Sequence, residues 1–86
     1  MLPEHPTMEE MEAFFSQDRY ATEATKCRIR EGWKGHGVAE MDIEEIHMNA
    51  QGKVMGGAIF TLADFALAIA SNIAQDPTVN LQSSIE

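Results

Sequence analysis

Cysteine is nearly absent from this chain of 86 residues: the single one, Cys27, rules out an internal disulfide framework and fits a reducing, cytoplasmic setting. Basic side chains are scarce as well. Six Lys and Arg stand against fourteen Asp and Glu, a net charge of -8, which argues against nucleic acid or an anionic membrane as the partner. No Gly-x-Ser-x-Gly elbow and no phosphate-cradling glycine loop with its Lys-Ser or Lys-Thr occurs. His5, His36 and His47 lack the spacing of metal ligands, so no metal is expected. Nothing near Met1 reads as a basic and apolar leader. The apolar run at 57–74 nears the length of a membrane span, but Asp64, Asn72 and the small alanines within it make a membrane role unexpected. So short a chain makes one domain at most and leans on a partner for stability.

What is present centres on residues 47–74. From 58 to 74 nearly every residue is apolar and helix-compatible, and a helix apolar around most of its circumference belongs at the centre of a fold. At roughly 100° per residue, Thr61, Asp64, Ser71, Asn72 and Gln75 form a polar stripe about 100° wide. Asp64 is the residue to explain, because burying an unpaired carboxylate is costly. Gly56 and Gly57 precede the helix, where glycine admits close approach. The unpaired N–H groups of the first turn there favour a developing oxyanion. Asp64 lies roughly 10–12 Å further along the axis, too far to act with those glycines from one helix. An antiparallel second copy would close that distance, which predicts a dimer with shared sites.

The remainder reads in order. Residues 1–17 are a lead-in with Pro3 and Pro6, followed by a short helix that Thr7 caps, with Glu9, Glu10 and Glu12 on a solvated face and Met8, Met11, Phe14 and Phe15 on an apolar one. Residues 25–30 alternate as a half-buried strand with Thr25, Cys27 and Ile29 inward, and 37–43 alternate likewise with Ala39, Met41 and Ile43 inward. The glycine-rich 32–37 joins them as an antiparallel hairpin, with Arg28 opposite Glu40 and Lys26 opposite Asp42. Glu44-Glu45 marks a bulge or the end of pairing. Trp33 reads as an anchor for the connection or as part of a wall for a substrate, and Cys27 as a small buried side chain rather than a nucleophile. Residues 49–52 form a turn in which Asn49 tolerates left-handed geometry. Pro77 stops the helix, and 78–86 alternate as a third strand that ends in mid-pattern.

The pattern His47-Met48-Asn49, Gly52, Gly56-Gly57-Ala58-Ile59-Phe60, Leu62-Ala63-Asp64 and Ala70-Ser71-Asn72 resembles the hotdog-fold acyl-CoA thioesterases of the phenylacetate-degradation (PaaI-like) group. The resemblance runs from about residue 18 to the end. It implies an α+β fold in which an antiparallel sheet wraps around one long central helix, with only part of that sheet in residues 1–86. It implies hydrolysis of acyl-CoA thioesters to free acid and coenzyme A, with no cofactor beyond the coenzyme A of the substrate. By that resemblance Asp64 is general base or nucleophile, the Gly56 N–H polarises the thioester carbonyl, and Asn49 places water or substrate. Gly57, His47, Met55 and Thr61 are then the substrate-binding neighbours. A homodimer or homotetramer with sites at the subunit interface follows. Met55 departs from the group, which usually has His there, and the group's chains are longer. The alternative expectation is a non-catalytic acyl-CoA-binding or assembly module derived from a truncated hotdog protein. A hotdog dehydratase fits less well, since no His sits suitably beside the helix.

Overall fold

Thr7 starts the first element. Its hydroxyl accepts from the Glu10 N–H at 3.1 Å while the Glu10 carboxylate accepts from the Thr7 N–H at 2.9 Å, a reciprocal cap worth about 1 kcal/mol. The helix α1, Met8–Phe15, buries Met11 and Phe15, one turn apart on its inner face. The structure, a computed structural model, describes residues 2–74. The third strand expected at 78–86 and Gln75 of the polar stripe lie outside the described residues, whereas the long helix expected to run on to Pro77 ends at Asn72, with Ile73 in extended geometry.

A π-helical turn, Tyr20–Ala24, follows, closed by the Thr25 N–H on the Tyr20 carbonyl at 3.0 Å and the Cys27 N–H on the Ala21 carbonyl at 2.8 Å. Lys26 turns the chain out of it in the left-handed region, at φ +61°. The strand expected from residue 25 therefore begins later: β1 is Arg28–Trp33 and β2 is His36–Glu40. They pair antiparallel with Arg28 opposite Glu40, as the sequence predicts. The joining loop is shorter than the predicted 32–37, since Gly32 pairs with Gly37 and Trp33 with His36, leaving only Lys34 and Gly35 at the turn. Gly35 takes φ +82°, the left-handed geometry a two-residue loop needs. The irregularity falls at Arg30, between the pairs of Ile29 and Glu31, not at Glu44-Glu45.

Two further expectations change. Lys26, turned by its left-handed backbone, bonds Glu44 at 3.4 Å rather than facing Asp42, and Arg28 takes Asp42 at 2.8 Å. Ile43 is exposed because β2 ends at Glu40, whereas Ala39 and Met41 do pack against the core.

The long helix α2, Gly56–Asn72, starts two residues before the expected position and lies across the hairpin. Gly32 and Gly37 let it sit down on the strands. A Cβ on Gly37 would stand 2.5 Å from the Ala66 carbonyl oxygen and 2.8 Å from the Ala70 nitrogen, and one on Gly32 would meet Ile69 Cγ2 at 2.6 Å. The Gly35 N–H donates to the Ala70 carbonyl at 3.1 Å, and Leu2 forms a bridge with Ile73, tying the hairpin tip and the N-terminal segment to the end of the helix. Phe65, Ile69 and Ile73 are fully buried, each contributing about 1.5–3 kcal/mol. Phe65 meets Phe15 edge to face at 6.1 Å. The opposite side of α2 is open: Ile59, Phe60 and Leu67 are 44%, 41% and 45% exposed. The described residues thus make a small α+β domain, a two-stranded antiparallel sheet under a helix. No helix among them is long and apolar enough to cross a membrane.

Candidate functional site

Met55 caps α2 in extended geometry and offers no side-chain bond to the first turn. Its N–H donates to the His47 carbonyl at 2.8 Å, and its carbonyl accepts from Ala58 at 3.1 Å. The N–H groups of Gly56 and Gly57 have no acceptor within the helix, as at any helix start. Nothing stands within 4 Å of where a Cβ on either glycine would be. The positive end of α2 is therefore open to solvent. Five of the six basic residues, Arg19, Lys26, Arg28, Arg30 and Lys34, pair with carboxylates. Lys53, exposed and three residues before Gly56, has no ion pair among the described residues.

His47 and Asn49 approach this helix end, but both ring nitrogens of His47 and the side-chain oxygen of Asn49 are engaged. His47 is 4% exposed. Its Nδ1 accepts from the Glu44 N–H at 2.9 Å and its Nε2 lies 2.7 Å from the Thr25 carbonyl, a pairing that defines the neutral tautomer with hydrogen on Nε2. The Asn49 side-chain oxygen accepts from the N–H groups of Gln51 at 2.9 Å and Lys53 at 3.0 Å. With Gly52 at φ +75° it builds the turn predicted at 49–52. The Thr61 hydroxyl donates back to the Gly57 carbonyl at 2.8 Å.

Asp64 is exposed on α2, two turns beyond the glycines. Beside it stands Asp18, a residue the sequence reading gave no role. Burial, and next the charge of Asp64, push the Asp18 carboxyl above its usual range. Asp18 is held by its backbone: its N–H donates to the Phe15 carbonyl, and its carbonyl accepts from both the N–H and the hydroxyl of Thr22, each at 3.0 Å. No local spacing joins residues so far apart in the chain. The only sequence signal was that both are acids within the stretch carrying the resemblance.

An open cleft of about 430 Å³ has Phe15, Cys27, Ile29 and Phe65 among its lining, but neither Asp18 nor Asp64. Burial pushes the Cys27 thiol up, away from the thiolate form. No group of three or more His, Cys, Asp or Glu among the described residues is arranged to hold a metal ion.

No family model matches the chain, and no solved structure does. A curated protein does. A stretch of 50 residues is 44% identical to a protein of Archaeoglobus fulgidus described as "Putative esterase". The match covers 58% of this chain and 32% of that protein, so the chain matches about a third of its relative's length.

Proposed function

We propose that this chain carries part of a hotdog-type hydrolase acting on acyl-CoA thioesters, with its site shared between two copies. The observation that carries the reading is the open, glycine-led start of α2 with an exposed carboxylate on the same helix. The relative described as an esterase belongs to the same broad chemistry, attack of water on an acyl carbonyl. The small α+β domain with a helix laid on an antiparallel hairpin is compatible with that fold.

In this reading the carbonyl oxygen of the thioester sits at the Gly56 N–H, where the helix end stabilises the oxyanion of the tetrahedral intermediate. Asp64 takes a proton from water as it attacks the carbonyl carbon. The carbon–sulfur bond then breaks, and the coenzyme A thiolate leaves and collects a proton. Gly56 and Asp64 lie about 12 Å apart along one axis, so the two groups come from two helices. Copies that meet antiparallel through Ile59, Phe60 and Leu67 bring one Asp64 towards the other Gly56. Gly57, Met55 and Thr61 border the bound group, while Lys53 offers a positive charge to the phosphates of coenzyme A. Asn49 and His47 hold the turn that presents this end of the helix.

The test is release of free thiol from a panel of acyl-CoAs. Asp64→Asn is expected to lower kcat by about two orders of magnitude or more with an unchanged circular dichroism spectrum; an unchanged rate overturns the reading. A specific observation favours the alternative, a non-catalytic acyl-CoA-binding or assembly module. Met55 has no hydrogen-bonding group to aim at the carbonyl, and both ring nitrogens of His47 and the side-chain oxygen of Asn49 are committed to the backbone. Saturable binding of acyl-CoA without turnover would select it.

A further inference from the structure

His47 is the point at which three stretches of chain meet. Its ring reaches the Thr25 carbonyl ahead of β1 at 2.7 Å and the Glu44 N–H beyond β2 at 2.9 Å, and its own carbonyl receives the Met55 N–H at the cap of α2 at 2.8 Å. The residue is 4% exposed, so solvent has little access to the ring bonds. A second link runs beside the first, since Lys26 Nζ donates to the Glu44 carboxylate at 3.4 Å. Residues 25–26 and 44–47 are thus fastened at two points.

What this fastening holds is a backbone that lysine does not favour. Lys26 stands at φ +61°, where its Cβ crowds the chain, although residues 25–30 alternate as a strand does. Carried back from the pair of Arg28 with Glu40, an unbroken ladder sets Lys26 opposite Asp42 and Thr25 opposite Ile43. That ladder is a second arrangement open to the chain entering β1. We propose that His47 is an acid-sensitive clasp: neutral, it keeps Lys26 bent and the start of α2 tied down, and protonated, it releases both and lets β1 lengthen back to Thr25.

The neutral ring offers one donor and one acceptor, as its two bonds require. A protonated ring has two donors, and the hydrogen on Nδ1 then meets the Glu44 N–H. The acceptor that draws the new proton is the Glu44 carboxylate, which already receives Lys26 and the His47 N–H. Turning to it takes the ring off the Thr25 carbonyl. Of the other charged groups on these stretches, Glu45 and Lys53 are exposed, Glu23 pairs with Arg19 and Asp42 with Arg28. The helix α2 brings none before Asp64, two turns in.

The test is nuclear magnetic resonance on the parent chain between about pH 8 and about pH 5, the span in which histidine changes charge. The ring nitrogens of His47 report its protonation, and amide exchange, corrected for its intrinsic pH dependence, reports the fastening. As the ring gains its proton, protection of the Met55 N–H is expected to fall several-fold and a nuclear Overhauser contact between residues 26 and 42 to appear, while the Phe65 N–H in the middle of α2 keeps its protection. His47→Gln has a donor and an acceptor but gains no proton, and its Met55 protection is expected to be equal at both ends of the range; a pH response that survives in it overturns the proposal. Should that variant not fold, the parent chain decides alone. A ring that stays neutral down to about pH 5 overturns the proposal, as does a protonated ring with Met55 protection unchanged, a loss shared equally by Phe65, or a release without the contact between 26 and 42. The readout is exchange and not turnover, so the clasp stands or falls apart from the hydrolase reading.

Discussion

Asp18 is a carboxyl that the fold makes harder to ionise. Since its folded value lies above the ordinary one near 3.8, the folded chain binds its proton more tightly than the unfolded chain. Stability linked to this group therefore falls as pH rises through the folded value, and the penalty is absent below the unfolded value. Asp18→Asn removes the charge that burial and Asp64 oppose. Its melting temperature is expected to exceed the parent's at neutral pH, with the difference vanishing as the pH falls towards 3.8. A gain that persists in acid would point to a cause other than ionisation. Asn49 was legible in the sequence as a turn residue, but the left-handed geometry expected of it falls on Gly52, while its own side-chain oxygen accepts from the backbone two residues on. The pairing of Asp18 with Asp64 was not legible. It depends on the π-helical turn meeting α2, a contact between distant parts of the chain.

At the scale of the elements, alternation and apolar content marked the hairpin and α2, and Thr7 marked the start of α1. The boundaries followed local geometry that composition does not carry. Lys26 in the left-handed region delays β1, and a turn of only two residues lets Gly32 and Gly37 join the strands. Those two glycines had read as loop residues and instead form the surface on which α2 rests. Gly37→Ala would press a methyl against helix backbone that cannot rotate away, so a loss on the order of 1–3 kcal/mol is expected by urea unfolding. Gly57→Ala faces open space in a helical turn, and its stability is expected to be unchanged or higher by up to about 1 kcal/mol. Equal losses at both positions would contradict the seating of the helix on Gly37.

For the whole molecule, the contrast is between the two sides of α2. One is fully covered by the hairpin and α1, and the other shows Ile59, Phe60 and Leu67 to solvent. The sequence announced an apolar rod, but period alone does not say which neighbours cover which side. If the proposed antiparallel pairing covers the open side, Ile59→Gln with Leu67→Gln is expected to convert a dimer to a monomer in analytical ultracentrifugation while the circular dichroism spectrum keeps its shape. A dimer that survives both changes would place the contact elsewhere.

The two glycines under α2 also set an order of events. The hairpin closes through a two-residue loop, a step of about 1–10 μs, whereas Gly32 and Ile69 meet only after the intervening chain has been gathered in. The strands are thus the early partner and the helix the late one. A hairpin awaiting its helix exposes bare backbone at Gly32 and Gly37, with no side chain there to attract an intruder. The same economy of atoms that lets the helix settle closely means that anything larger than hydrogen at either glycine would hold the late partner off its seat.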